Sequence, residues 1–91
     1  MNLAGAIEYL KKQGFWVYGT DPVSGRDLSS VDFSGNVGLV MGSEGRGMRQ
    51  LVRKQCDFLL SIPMAGRIDS LNVSVAAGII LYEISRAFRK A

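Results

Sequence analysis

The sequence of 91 residues contains no histidine and only one cysteine, Cys56. Without histidine, proton transfer near neutral pH must use another group or one from outside this chain. One cysteine cannot form an internal disulfide, and this usage is typical of the reducing cytoplasm. Because no histidine can activate its thiol, we interpret Cys56 as a small buried hydrophobic residue rather than a nucleophile. We expect no metal site.

The sequence also lacks long apolar runs. Glycines and charged residues interrupt them before the roughly 18 residues that a membrane span needs. No basic segment followed by an apolar stretch opens the chain, as a signal peptide would. We therefore expect no membrane partner and a cytoplasmic location. Hydrophobic residues make up 47% of the chain, which predicts one small folded domain with a modest core.

Positive charge is concentrated in the second half of the chain. From residue 46 onward there are eight basic and three acidic side chains, a net charge of +5, whereas the first 45 residues carry −2. A basic half favours a polyanionic partner. On charge alone, a solvated surface with no partner is an equal alternative.

The hydrophobic periodicity predicts an α/β domain. Helices alternate with short apolar strands, which indicates a mainly parallel sheet. Three strands are few for such a sheet, so we expect part of the domain to be missing from this chain. The predicted helices are 2–13, 48–56 and 71–89, the strands are 15–19, 37–41 and 58–62, and 21–35 is a loop. The core-facing residues predicted for the last helix are Val73, Ala76, Ala77, Ile80, Ile84 and Phe88.

A glycine-rich loop joins the second predicted strand to the second predicted helix. Residues 42–47, GSEGRG, include three glycines, which allow close approach of the backbone to a ligand. The loop matches neither the Walker pattern nor the dinucleotide fingerprint. Glu44 would suit a cationic or hydroxyl-bearing ligand better than a phosphate. Considered alone, the loop is equally typical of a turn that binds nothing.

A second cluster follows the third predicted strand. Residues 62–66, IPMAG, contain Pro63, which ends the strand and stiffens its exit. Ser70 and Asn72 come shortly before the last helix. By themselves, both are best interpreted as helix caps, the ordinary use of such residues.

The two clusters together resemble conserved motifs of a known family. Residues 39–48, LVMGSEGRGM, are similar to the second motif of SpoU/TrmH-class methyltransferases of the SPOUT superfamily. Residues 62–66 followed by 69–78, DSLNVSVAAG, are similar to the third, in the right order and at the right separation. The opening helix and the strand at 15–19, FWVYG, resemble the branch that methylates guanosine riboses in large-subunit ribosomal RNA. The resemblance covers nearly the whole chain.

The resemblance implies the C-terminal part of an α/β trefoil-knot domain, in which the last helix is threaded through a loop. It also implies an S-adenosylmethionine-dependent enzyme that methylates ribose 2'-hydroxyls of ribosomal or transfer RNA. Family members pair through helices around the knot, so a homodimer is expected through the opening helix and 71–88. The implied cofactor contacts are Met41, Gly42, Ile62, Met64 and Leu71, and the residues implied to line the reacting site are Glu44, Ser70 and Asn72. The candidate RNA contacts, at the start of the second helix, are Arg46, Arg49 and Arg53.

One departure from the family pattern limits what the resemblance implies. The first motif has an Asn, a Gly two residues on, and four residues later an Arg that helps to activate the ribose hydroxyl or to hold its phosphate. Here Gly5 is one position late after Asn2, and Glu8 stands where the Arg belongs. We interpret this segment as a later helix of the family and expect the first motif to be absent. Two alternatives follow: a non-catalytic cofactor- or RNA-binding fragment, and a truncated product with no separate role.

Overall fold

The computed structural model describes residues 2–21, 24–42, 50–62 and 73–89. Three α-helices, four strands and one short 3-10 turn lie within these residues. In chain order they are α1 (Leu3–Lys12), β1 (Phe15–Thr20), β2 (Arg26–Asp27), the 3-10 turn (Leu28–Ser30), β3 (Asn36–Val40), α2 (Gln50–Gln55), β4 (Phe58–Ser61) and α3 (Val73–Arg89).

Helix α1 begins and ends where the sequence predicts. The Asn2 side-chain oxygen accepts a 2.7 Å hydrogen bond from the Gly5 amide, so Asn2 is the N-cap. Beyond the C-terminal end, Gly14 has a φ of +87°, a conformation that stops a helix and favours glycine. The interpretation of the opening segment as a helix is therefore confirmed.

The four strands form one parallel sheet in the order β2-β4-β1-β3. Strand β1 lies between β3 and β4, with Tyr18 opposite Leu39 on one side and opposite Phe58 on the other. Val17, Tyr18 and Gly19 are buried because β1 is covered on both faces and paired on both edges. The predicted parallel sheet is confirmed.

The predicted loop at 21–35 is wrong in part, because it contains β2 and the 3-10 turn. The Asp27 carboxylate accepts a 2.9 Å hydrogen bond from the Ser29 amide and caps that turn. Leu28 and Phe33 are buried in the core. The predicted count of three strands is therefore too low. Strand β2 has only two residues, both exposed, which is too short for periodicity to reveal.

The core is divided between the two faces of the sheet. Helices α1 and α2 cover one face, where Ile7 and Val52 pack with Val17 and Val40. Helix α3 covers the other face, where Ile80 packs with buried residues from the sheet and from the segment between β2 and β3. That group comprises Tyr18, Leu28, Phe33 and Leu60.

Helix α3 differs from prediction in its last turn. Phe88 is 47% exposed, and the residue that packs against the core in the last turn is Ala87. Both positions lie one turn beyond Ile84 on the same side of the helix, so periodicity alone could not choose between them. No helix in the described ranges is long and apolar enough to cross a membrane. The predicted knot depends on residues 63–72, which lie outside the described residues.

Helix α2 is described from Gln50 and ends at Gln55, one residue before the predicted end. Its predicted start at 48 lies outside the described residues. Cys56 follows the helix and packs, half-buried, against the core on the α1 side. This placement supports its interpretation as a small hydrophobic residue.

Candidate functional site

The carboxyl ends of three neighbouring strands bring together the described part of the predicted cofactor site. Met41 and Gly42 follow β3, and Ile62 follows β4. Thr20 ends β1, which lies between those two strands. Ligands of open parallel α/β sheets bind at this edge, where the carboxyl ends of the strands meet. The sheet therefore places Thr20, Gly42 and Ile62, which are 20 or more positions apart in sequence, along the same edge.

The described side chains of the predicted cofactor contacts at this edge are apolar. Met41 and Ile62 are half-buried and pack against the core cluster under α3. Among the described residues, no polar or charged residue is fully buried. Apolar side chains beside a glycine suit a flat, weakly polar group such as an adenine ring, which main-chain groups can recognise.

Thr20 holds the start of the glycine-rich segment. Its side-chain oxygen accepts a 2.7 Å hydrogen bond from the Gly42 amide in a partly buried position. Thr20 lies outside both sequence motifs. Its role depends on β1 lying next to β3, and the strand order cannot be derived from local patterns.

Asp21 holds helix α2 through Arg53. Arg53 Nε lies 3.2 Å from Asp21 Oδ2, and Arg53 Nη2 donates a hydrogen bond to the Ser24 hydroxyl. The same hydroxyl donates to Asp21 Oδ2 at 2.8 Å. The guanidinium that was predicted to contact RNA is therefore paired with a carboxylate of its own chain. Its role in RNA binding stays a prediction.

The residues that follow β1 pack closely against the end of β4. The Asp21 amide donates to the Leu60 carbonyl at 2.8 Å, and the Gly25 amide donates to the Asp21 carbonyl at 2.9 Å. A Cβ atom on Gly25 would overlap the Leu60 carbonyl group and would lie 2.6 Å from the Asp21 carbonyl oxygen. The Ser61 hydroxyl donates to the Gly25 carbonyl at 3.0 Å. Only glycine fits here, directly beside the strand end that leads to Ile62.

At the amino ends of the strands, a separate cluster of polar side chains surrounds Asp57. Asp57 accepts a hydrogen bond from the Val17 amide, and Lys11 Nζ lies 3.5 Å from its second oxygen. Burial raises the pKa of the neighbouring Cys56 thiol, the Asp57 charge raises it further, and Lys11 opposes the shift. Burial and Asp57 likewise raise the pKa of the Tyr18 hydroxyl. The raised pKa supports the interpretation of Cys56 as a small hydrophobic residue.

The remaining predicted site residues lie outside the described residues and stay predictions. No group of three or more His, Cys, Asp or Glu that could hold a metal ion occurs in the part of the chain that the structure describes. The predicted residues without a described position are Glu44, Arg46, Arg49, Met64, Ser70, Leu71 and Asn72.

The fold defines a parallel α/β domain with a candidate ligand site at the carboxyl ends of its strands. The family model of the SpoU rRNA methylase family matches residues 1–82, and the chain belongs to that family. The chain is 53% identical over 85 residues to the 23S rRNA (guanosine-2'-O-)-methyltransferase RlmB of Ralstonia nicotianae. That alignment covers 93% of this chain and 34% of the relative, so the chain spans about a third of the curated relatives it matches.

Solved structures show the same fold. The TrmH/SpoU tRNA modifying enzyme of A. aeolicus superposes with a TM-score of 0.87 at 34% identity, over 98% of this chain and 46% of that one. The SpoU methyltransferase AviRb of Streptomyces viridochromogenes, in complex with the cofactor AdoMet, gives 0.85 at 30% identity, over 99% and 38%. The resemblance drawn from the two sequence motifs is thereby confirmed at the level of family and fold class.

Proposed function

We propose that this chain forms the cofactor-binding part of an S-adenosylmethionine-dependent enzyme that methylates the ribose 2'-hydroxyl of ribosomal or transfer RNA. One observation carries the proposal: Met41 and Gly42 after β3 and Ile62 after β4 lie at the carboxyl edge of the sheet, on either side of β1, in a member of the SpoU rRNA methylase family. The proposal includes a cytoplasmic location, which the single half-buried cysteine supports.

The chemistry of the described edge fits the adenosyl part of the cofactor. Met41 and Ile62 offer apolar surface to the adenine ring, and Gly42 leaves its main chain accessible. Met64 and Leu71 are proposed to complete this pocket. When bound, S-adenosylmethionine supplies an electrophilic methyl group on its sulfonium. The chain's own contribution is to bind and orient, and correct alignment can be worth several orders of magnitude in rate.

Glu44, Ser70 and Asn72 are proposed to line the reacting site beside the ribose. The chain has no histidine, so these carboxylate, hydroxyl and amide groups are its candidates for holding the ribose hydroxyl. In the family, the first-motif Arg helps to activate this hydroxyl for removal of its proton. No residue of this sequence matches that Arg. We expect each of Glu44→Gln, Ser70→Ala and Asn72→Ala to reduce methyl transfer more than cofactor binding.

RNA contact is proposed for Arg46, Arg49 and Arg53. Because Arg53 is 38% exposed and paired with Asp21, we expect it to neutralise phosphate less fully than the other two. Each phosphate contact contributes about one unit to the slope of log affinity against log salt concentration. Filter binding of a ribosomal RNA fragment should show this slope reduced more by Arg49→Gln than by Arg53→Gln. Binding that does not change between dilute and physiological salt would contradict the proposal.

A homodimer is proposed through the outer side of α3. Val75, Ile79 and Tyr82 recur at helical spacing there, and all three are exposed. Exposed apolar stripes of this kind usually mark interfaces, and a small chain gains stability by association. Helix α1 covers the opposite face of the sheet, so the proposal is confined to α3.

Isothermal titration calorimetry with S-adenosylhomocysteine, the demethylated product, tests the proposed cofactor site. We expect one site per chain and loss of binding in Gly42→Val, because a branched side chain would occupy the space beside the strand end. Glu8→Gln, which breaks only the exposed pair with Lys12, is the control and should bind normally. Equal affinity of wild type and Gly42→Val would reject the assignment of this edge.

A further inference from the structure

Two consecutive residues at the end of β1 contact the described chain on both sides of the segment 43–49. Thr20 accepts the Gly42 amide before that segment, and Asp21 pairs with Arg53 after it. We propose that Thr20 and Asp21 are positioning residues for the cofactor site, a role that rests on the proposed function. They act through Gly42 and α2 rather than by touching the cofactor.

Thr20 has the geometry for this role. Its hydroxyl lies 2.7 Å from the Gly42 amide nitrogen in a partly buried position, where a lost partner is not fully replaced by water. Glycine has more backbone freedom than any other residue, so Gly42 gains the most from being held. Because the peptide bond is planar, fixing the Gly42 amide also fixes the direction of the Met41 carbonyl. The cofactor then meets a main chain that is already in place.

Asp21 is oriented before it meets Arg53. Its Oδ1 accepts the Ser24 amide at 3.2 Å, and its Oδ2 accepts the Ser24 hydroxyl at 2.8 Å. The Asp21 side chain is 14% exposed, less than the acid of any other ion pair found among the described residues. This pair is therefore less screened than an ordinary surface pair. It ties α2 to the strand that also carries Thr20.

A purely structural role would make a different pattern of effects. If Thr20 and Asp21 only stabilised the fold, binding would follow global stability, and any equally destabilised variant would bind equally well. If they position the site, their variants lose affinity for S-adenosylhomocysteine while they remain folded. Other variants that are equally destabilised keep the wild-type affinity. Thr20→Val keeps the branched shape and removes the hydroxyl, whereas Thr20→Ser keeps the hydroxyl and removes the methyl group.

The first test combines calorimetry with amide exchange on the full 91-residue chain. Thr20→Val should weaken S-adenosylhomocysteine binding about tenfold, the loss expected for one partly buried hydrogen bond, and should speed exchange of the Gly42 amide. Thr20→Ser should restore both to near the wild-type values. Glu83→Gln, which breaks a surface pair on α3, should change neither. Wild-type affinity in Thr20→Val, or Thr20→Ser no better than Thr20→Val, would overturn the role of Thr20.

The second test is a double-mutant cycle for the ion pair. Asp21→Asn and Arg53→Gln should each weaken binding severalfold, and the double variant should be no weaker than the worse single variant, because both remove one interaction. Additive losses would overturn the role of the pair. Failure of the wild-type chain to bind would overturn the proposed function and this inference together. Wild-type binding that none of these variants changes would overturn this inference alone.

Discussion

The carboxylate of Asp57 accepts a 2.7 Å hydrogen bond from the amide of Val17, 40 positions earlier in the sequence. The Asp57 amide returns a 2.8 Å bond to the Val17 carbonyl. Val17 is fully buried, so the side chain of Asp57 satisfies a main-chain group that water cannot reach. Lys11 contacts the same carboxylate and also donates to the Gln55 carbonyl at 3.0 Å. One acid thus joins α1, the central strand and the start of β4.

Replacing Asp57 with alanine should destabilise the fold by about 1–3 kcal/mol, because the buried Val17 amide would lose its acceptor. Asp57→Asn should cost less, since its side-chain oxygen can still accept. Lys11→Met removes the partly exposed ion pair and the bond to the Gln55 carbonyl, and it should change stability by about 1 kcal/mol. Urea denaturation measures all three. A loss in Asp57→Ala no larger than in Lys11→Met would show that the amide bond contributes nothing.

Gly25→Ala should destabilise the fold by about 1–3 kcal/mol, because the new methyl group overlaps main-chain atoms that cannot move aside easily. Gly78→Ala is the matched comparison. A Cβ on Gly78 meets no atom within 4 Å, and alanine in a helix interior is favoured over glycine by about 0.5–1 kcal/mol. Thermal unfolding should therefore move in opposite directions for the two variants. A shift of the same sign in both would contradict the packing at the end of β4.

Hydrogen bonds from the Ser29 amide and then the Ser29 hydroxyl lower the pKa of Asp27 below its ordinary value of 3.8. Because the folded pKa lies below the unfolded one, this carboxylate stabilises the fold above the unfolded pKa. That contribution is lost as pH falls through the folded pKa. Carbon-detected NMR titration should show the lowered value. Ser29→Ala should raise it only part of the way, because the amide bond remains. Ser30→Ala, whose hydroxyl donates to the Asp27 main-chain carbonyl, should leave it unchanged.

Tyr82→Glu should shift the proposed dimer towards monomer, because it inserts a charge into the exposed stripe on α3. Leu51→Glu is the control: Leu51 is even more exposed, but it lies on α2 at the other face of the sheet. Sedimentation over a wide dilution range would measure both. A wild-type chain that remains a folded monomer at micromolar concentration would refute the dimer.

The elements with strong local signals were predictable, and those fixed by distant contacts were not. Asn2, the α1 pattern and the apolar strands carry their information within a few residues. Strand β2 is polar and exists because Arg26 lies opposite Leu60, 34 positions away. Thr20 and Asp21 were missed for the same reason. Their partners, Gly42 and Arg53, come close only after β1 takes its place between β3 and β4.

The position of β1 also constrains the order of events during synthesis. Within these 91 residues, β1 precedes both of its neighbours: Phe15 pairs with Asn36, and Tyr18 pairs with Phe58. Strand β1 therefore leaves the ribosome before β3 and β4, and the edge that pairs with β4 stays open until β4 has emerged. Non-local parallel pairing of this kind is slow and leaves apolar strand edges available to other chains. These edges of β1 remain available to other chains until residue 61, the last residue of β4, has been made.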